Sequence, residues 1–141
     1  ETLRDRVSAV SNKTHYNEMN VLSMHAFIGA YQPQGYEWVD ELNQVIQGNI
    51  DYFCDYVDEH FEGVSYSRPQ GTYMVFLDCT EWCRERGRDI QWLLDEGARV
   101  GVGYQDGRPF HGPCHIRVNL ALPLSRVKEA CERLDRYVFG V

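Results

Sequence analysis

The chain has 141 residues, of which 43% are hydrophobic and 25% charged, and its formal net charge is −7. That size and mix describe one domain with room for a sizeable apolar core. The acidic balance argues against a nucleic-acid partner, and the longest apolar stretches, such as Tyr73-Met74-Val75-Phe76-Leu77, have strand length, well short of the ~20 residues of a membrane span.

In chain order, Glu1 to Val10 reads as a short helix, with Leu3, Val7 and Val10 at helical spacing. Ser11-Asn12-Lys13-Thr14 is a break. Asn17 could cap a second helix carrying Val21, Leu22, Met24, His25, Ile28 and Ala30, which ends at the turn Gln32-Pro33-Gln34-Gly35. A long helix follows from about Tyr36 to His60. Val39, Leu42, Val45, Ile46, Ile50, Phe53 and Val57 recur along it at three- and four-residue steps, and Gly63 stands where a left-handed stop is expected. Such a helix is longer than a small domain needs and predicts support from outside the chain.

Val64 to Ser67 and Thr72 to Leu77 read as a hairpin around Arg68-Pro69-Gln70-Gly71. Asp89 to Glu96 is a short helix closed by Gly97, and Arg99 to Val102 is a third strand. Gly103 to Pro113, with three glycines and two prolines, is a loop long enough to suspect a role. A strand from His115 to Leu122 comes next, and Ser125 to Val138 is the last helix. Strands bunched in the second half with helices on one face predict an α+β fold. Its sheet would be small, antiparallel or mixed, with about four strands backed by helices.

Five cysteines, at 54, 79, 83, 114 and 131, are odd in number and contain no CxxC. They read as free thiols of a reducing cytoplasm, and no secretory signal opens the chain. Neither Cys79 with Cys83 nor His111 with Cys114 and His115 has a familiar zinc spacing, so no metal is expected.

The strand His115-Ile116-Arg117-Val118-Asn119-Leu120-Ala121-Leu122 alternates strictly. Ile116, Val118, Leu120 and Leu122 share one face, and His115, Arg117, Asn119 and Ala121 share the other. A guanidinium fixed on a strand is a forked carboxylate receptor; the same pattern also fits a solvated arginine on a half-exposed strand.

Three segments, in order, bear on this choice. The first is His15-Tyr16-Asn17-Glu18 with Ala30-Tyr31, Glu37-Trp38-Val39-Asp40-Glu41-Leu42 and Gly48-Asn49-Ile50-Asp51-Tyr52. The second is Pro69-Gln70-Gly71-Thr72-Tyr73 leading to Leu77-Asp78-Cys79. The third is Ile116-Arg117-Val118-Asn119-Leu120-Ala121-Leu122-Pro123. Together they resemble the C-terminal part of the pyridoxal-phosphate-dependent class I/II aminotransferases, nearest the cystathionine β-lyase-like C–S lyase branch. The resemblance covers nearly the whole chain.

The resemblance implies that residues 1–35 are a helical segment joining a large domain. Residues 36–141 would form the small domain, with the long helix bridging the two. It implies an enzyme of amino-acid metabolism, an aminotransferase or carbon–sulfur lyase acting on an L-amino acid, cytoplasmic and homodimeric at full length. Arg117 matches the arginine that binds the substrate α-carboxylate. Asn119, two along, is a weaker substrate contact without a catalytic role. In the loop, family members often carry a phenylalanine-glycine pair, whereas Gly107-Arg108-Pro109-Phe110-His111-Gly112 stands here. Arg108 is a candidate second anionic contact, and Tyr104 a further one.

The cofactor lysine is implied to lie upstream. Only Lys13 and Lys128 are present. Lys13 stands too close to the His15 segment, without the strand and glycine-rich phosphate loop that should precede it, and Lys128 falls on the solvated side of the last helix. The segment alone is therefore expected to bind no pyridoxal phosphate and to be inactive. Two other readings remain: a free-standing amino-acid-binding module, and a dimerisation domain that docks through the helix from Asn17 to Tyr31. An excised domain should bare apolar surface, with Met19, Val21, Leu22, Met24 and Phe27 the candidates.

Overall fold

The computed structural model describes residues 2–16 and 18–141. The chain divides into two compact units, residues 1–41 and 42–141, and the division falls inside one long helix.

The first unit is helical. Helix α1 (Leu3–Thr14) starts at a capping box in which the Thr2 side chain takes the Asp5 N–H and the Asp5 carboxylate takes the Thr2 N–H. His15, in the left-handed region with φ 51°, ends it. Helix α2 (Val21–Ala30) starts at Asn20, whose side chain accepts from the Ser23 N–H at 2.9 Å. Asn17, expected as that cap, lies outside the described residues. Neither helix buries a residue. Met19, Val21, Leu22, Met24 and Phe27 are all exposed, Leu22 by 82%. Helix α3 (Pro33–His60) then runs for 28 residues, or ~42 Å at 1.5 Å per residue. It opens three residues before the expected Tyr36, because proline fits the first turn, whose N–H groups have no intrahelical partner.

The second unit is an α+β layer pair, as the sequence predicts. Four short strands form an antiparallel sheet in the order β1-β2-β4-β3: β1 (Ser65–Tyr66), β2 (Met74–Asp78), β3 (Gln105–Asp106) and β4 (His115–Asn119). Gly63, with φ +82°, turns the chain from α3 into β1. Strands β2 and β4 pair Met74 with Asn119, Phe76 with Arg117 and Asp78 with His115. That register sets Val75, Leu77, Ile116 and Val118 on one buried face. Helices cover it: the second half of α3 (Ile50, Phe53, Cys54, Val57), α4 (Thr80–Arg86; Trp82, Cys83), α5 (Ile90–Arg99; Ile90, Leu93) and α6 (Leu124–Leu134; Val127, Cys131, Leu134). Among the described residues, no helix is long and apolar enough to cross a membrane.

Further details differ from expectation. Helix α1 runs on through Ser11–Thr14, the expected break. Strand β4 ends at Asn119, so Leu120 and Leu122 lie past it, with Leu122 exposed. Helix α4 has no counterpart in the sequence reading; the Asp78 carboxylate accepts from the Thr80 N–H and hydroxyl to start it, and Gly87 at φ +60° stops it. Gly97 does not close α5 but lies buried within it, where a Cβ would sit 2.5 Å from the Tyr104 ring. The stretch Arg99–Val102 is not a strand. Gly101, with φ +76°, reverses the chain there, and the Val102 N–H returns to the Gly97 carbonyl at 2.8 Å, so the third strand forms later, at Gln105. The last helix widens after Leu134 into one π turn through Phe139, whose carbonyl takes the Trp82 indole N–H at 3.2 Å.

Candidate carboxylate site on the open face of the sheet

With Ile116 and Val118 buried beneath it, alternation sends Arg117 to the opposite face of β4, where it is half-buried. The strand is interior, flanked by β2 and β3, with Phe76 opposite Arg117 on one side and Gln105 on the other. An arginine rooted there has a fixed base. Among the described residues, its guanidinium makes no ion pair and no side-chain hydrogen bond. It lies over the Phe110 ring, 4.0 Å from the guanidinium carbon to the ring centre. Every N–H of the fork is thus available to an anion, and a carboxylate is the shape it accepts in two parallel bonds.

The end of β4 is held from behind by Asn49, a polar side chain of α3 that is 1% exposed. Its Nδ2 donates to the Leu120 carbonyl at 2.8 Å and to the Leu122 carbonyl at 2.7 Å. Those two carbonyls lie past the last ladder pair, where the strand runs out toward Pro123. The segment Gly48-Asn49-Ile50 contributes to the resemblance, but its structural role is not readable from spacing, since the partner carbonyls stand more than seventy residues away.

The other expected residues separate. Asn119 is exposed, and its Oδ1 accepts from the Ala121 N–H at 2.8 Å, shaping the turn out of the strand. Tyr104 turns toward α5, its hydroxyl donating to the Leu93 carbonyl, and burial pushes its phenol pKa up. Arg108 is engaged: its Nε donates to the Asp106 carboxylate at 2.7 Å and its NH2 to the Gln91 side chain at 3.0 Å. The Asp106 carboxyl is held below the ordinary aspartate value by the Arg108 backbone N–H and by the guanidinium. Phe110, on the same loop, is the residue brought to Arg117.

Beside Arg117 on this face, His115 lies under the Phe76 ring at 4.7 Å, with its Nε2 3.7 Å from the Asp78 carboxylate. Its Nδ1 is buried without a hydrogen-bond partner among the described residues. Both lysines are exposed. Lys128, on α6, sits on the helix side of the sheet with its Nζ 5.2 Å from the Tyr52 ring, while Arg117 faces the other way. All five cysteines are free thiols, four of them buried and Cys114 half-buried. Among the described residues no three His, Cys, Asp or Glu side chains cluster to hold a metal.

The sequence profile of the family described as "Aminotransferase class I and II" aligns with residues 4–134. The chain belongs to the class I and II aminotransferase family. Within it, the chain is 34% identical over 118 residues to the "Putative cystathionine beta-lyase" of Mycobacterium leprae, a match covering 72% of this chain and 28% of that protein. It is 26% identical to an aspartate aminotransferase of a Bacillus species, covering 95% of this chain and 35% of that one. Among solved structures, the C–S lyase of Staphylococcus hominis, crystallised with pyridoxal phosphate, superposes with a TM-score of 0.76 at 23% identity, covering 90% of this chain and 33% of that one. The chain thus spans about a third of the length of the curated relatives it matches. The α+β sheet-and-helix fold expected from the sequence is the fold of these family members.

Proposed function

We propose that this segment is the C-terminal small domain of a pyridoxal-phosphate-dependent aminotransferase or C–S β-lyase, in which Arg117 binds the α-carboxylate of an L-amino-acid substrate. One observation carries the reading: a half-buried guanidinium on an interior strand, paired with no carboxylate among the described residues, with the Phe110 ring 4.0 Å from its central carbon. A guanidinium taken partly out of water without a counter-ion is poised for a ligand that brings one.

The residues of this segment do not by themselves fit the cofactor. Pyridoxal phosphate needs an amine to hold its aldehyde and donors for its phosphate, but Lys13 and Lys128 are both exposed, and Lys128 is on the wrong side of the sheet. The reading therefore assigns the cofactor lysine and the phosphate donors to the remainder of the full-length protein, and expects the segment alone to be inactive. When bound, the cofactor supplies the electron sink that both transamination and β-elimination require. The work of this segment is orientation. Two parallel N–H···O bonds from Arg117 fix the carboxylate in plane and so fix where the α-amino group points.

The bare apolar residues of the first unit support the same reading. Helix α2 carries no Asp, Glu, Lys or Arg, and its large side chains are exposed around the helix. A soluble protein rarely leaves such a patch uncovered, and the remaining two thirds of the protein are the expected cover. In the same reading, the full-length enzyme is a cytoplasmic homodimer.

The test is Arg117→Ala in the full-length protein. A charged hydrogen bond contributes ~1.5–3 kcal/mol, so KM for amino-acid substrates should rise on the order of 10- to 100-fold or more, with the cofactor absorbance unchanged. An unaltered kcat/KM would rule out the assignment.

A further inference from the structure

Phe110 is a large apolar ring that the core does not use. It is 46% exposed, yet its loop is tightly held. The 3₁₀ turn Arg108–Phe110 closes through the Phe110 N–H on the Gly107 carbonyl at 2.8 Å. Gly107 in turn is bonded to β4, its N–H donating to the His115 carbonyl at 2.8 Å, and a Cβ there would lie 2.4 Å from that oxygen. Gly112 returns its N–H to the Gly107 carbonyl at 3.1 Å, and a Cβ on it would meet the Phe76 ring at 2.5 Å. On the outer side, Arg108 is tied to Asp106 and Gln91. The loop is thereby fastened two residues from Arg117, and the ring it presents lies over the guanidinium at 4.0 Å.

We propose that Phe110 is the positioning residue for Arg117: it covers one flat face of the guanidinium and leaves the in-plane N–H edge free for the substrate carboxylate. The proposal rests on the carboxylate reading of Arg117 and adds to it the device that orients the fork. An arginine side chain has many rotamers, and ordering it on binding weakens affinity unless it is ordered beforehand. A ring face does this without competing for the N–H donors, as a carboxylate partner would. It also accounts for the loop, whose glycines allow the approach to His115 and Phe76 and whose arginine anchors the turn from outside.

The test uses the full-length protein with its cofactor and two probes, L-alanine and ethylamine, which share an amine and differ in the carboxylate. Binding is read by titration calorimetry for wild type, F110L, F110M, F110Y and R117A. Removing the ring's π face in F110L or F110M should weaken L-alanine by about 3- to 30-fold and leave ethylamine within about twofold, while F110Y, which keeps the π face, stays near wild type. Steady-state kinetics should place the same loss in KM with kcat preserved. If F110L and F110M bind L-alanine like wild type while R117A does not, the positioning role is wrong and the carboxylate reading stands. If both probes weaken together in F110L, the ring acts on the ligand or the fold and not through Arg117, and the proposal fails. If R117A does not lower the preference for L-alanine over ethylamine, the carboxylate reading itself falls, and the role of Phe110 with it.

Discussion

Asn49 offers the sharpest test of how α3 supports the site. Its Nδ2 satisfies two carbonyls at 2.8 and 2.7 Å in a place where the residue is 1% exposed. Asn49→Ala removes the donor and leaves both carbonyls without it. Each buried unsatisfied group costs ~1–3 kcal/mol, and because Leu122 is half-exposed and water can reach its carbonyl, the lower half of that range applies there. The expected loss is about 2–5 kcal/mol. For a unit of this size, 1 kcal/mol shifts Tm by ~4–8 °C, so Asn49→Ala should melt roughly 8–40 °C lower. Urea unfolding followed by circular dichroism gives the same quantity as a shift in midpoint at constant slope. Because the two carbonyls continue the strand that carries Arg117, the same substitution in the full-length protein should, on the proposed carboxylate role, also raise KM for amino acids at temperatures where it is still folded. A loss below about 0.5 kcal/mol would refute the reasoning, since it would mean that water or a small shift of β4 replaces Asn49 at no cost. Asn49→Asp should be at least as damaging, because a carboxylate would face two carbonyl oxygens.

Two further outcomes follow from titratable groups. Burial pushes the Cys131 thiol up to about 12, so its thiolate fraction at pH 8 is on the order of 10⁻⁴. A maleimide reagent should modify half-buried Cys114 first in the folded protein and reach Cys131 only on unfolding; mass spectrometry of a timed reaction checks this, and early labelling of Cys131 would contradict the burial. The Asp106 carboxyl is lowered from 3.8 by the Arg108 backbone N–H and then by its side chain. A depressed folded pKa means that the clamp contributes stability above the unfolded value and loses it as pH falls through the folded one. The Gly107–Phe110 loop should therefore loosen only below about pH 3.8, seen as faster amide exchange, whereas Asp106→Asn should loosen it at neutral pH as well.

Much of the fold is legible in local pattern. The three-four spacing along Val45, Ile46, Ile50, Phe53 and Val57 marks α3, and the strict alternation around Arg117 marks a strand with one core face, which Ile116 and Val118 confirm by their burial. Arg117 itself stands out because alternation puts it on the face away from the core, whatever the remainder does. Local signals mislead where a long-range contact decides. Gly97 has the look of a helix stop, but it is a helix interior made small to admit the Tyr104 ring from seven residues on. Arg108 and Phe110 are two apart in one turn, and nothing in the sequence says which of them reaches Arg117. The tie of Arg108 to Asp106 and Gln91 turns the cation away and leaves the ring for the site.

Periodicity and punctuation by themselves determined the long helix, the two-layer class and the exposed side of β4, because these depend on neighbours within a few residues. The resemblance of three spaced segments determined the family. Only the tertiary structure decided that Asn49 secures the end of β4, that Tyr104 belongs to the packing of α5 and that Phe110 pairs with the guanidinium. Each of those is a contact between residues brought close by the fold, and the geometry of hydrogen bonds and ring stacking, unlike hydrophobic spacing, leaves no periodic trace in the chain.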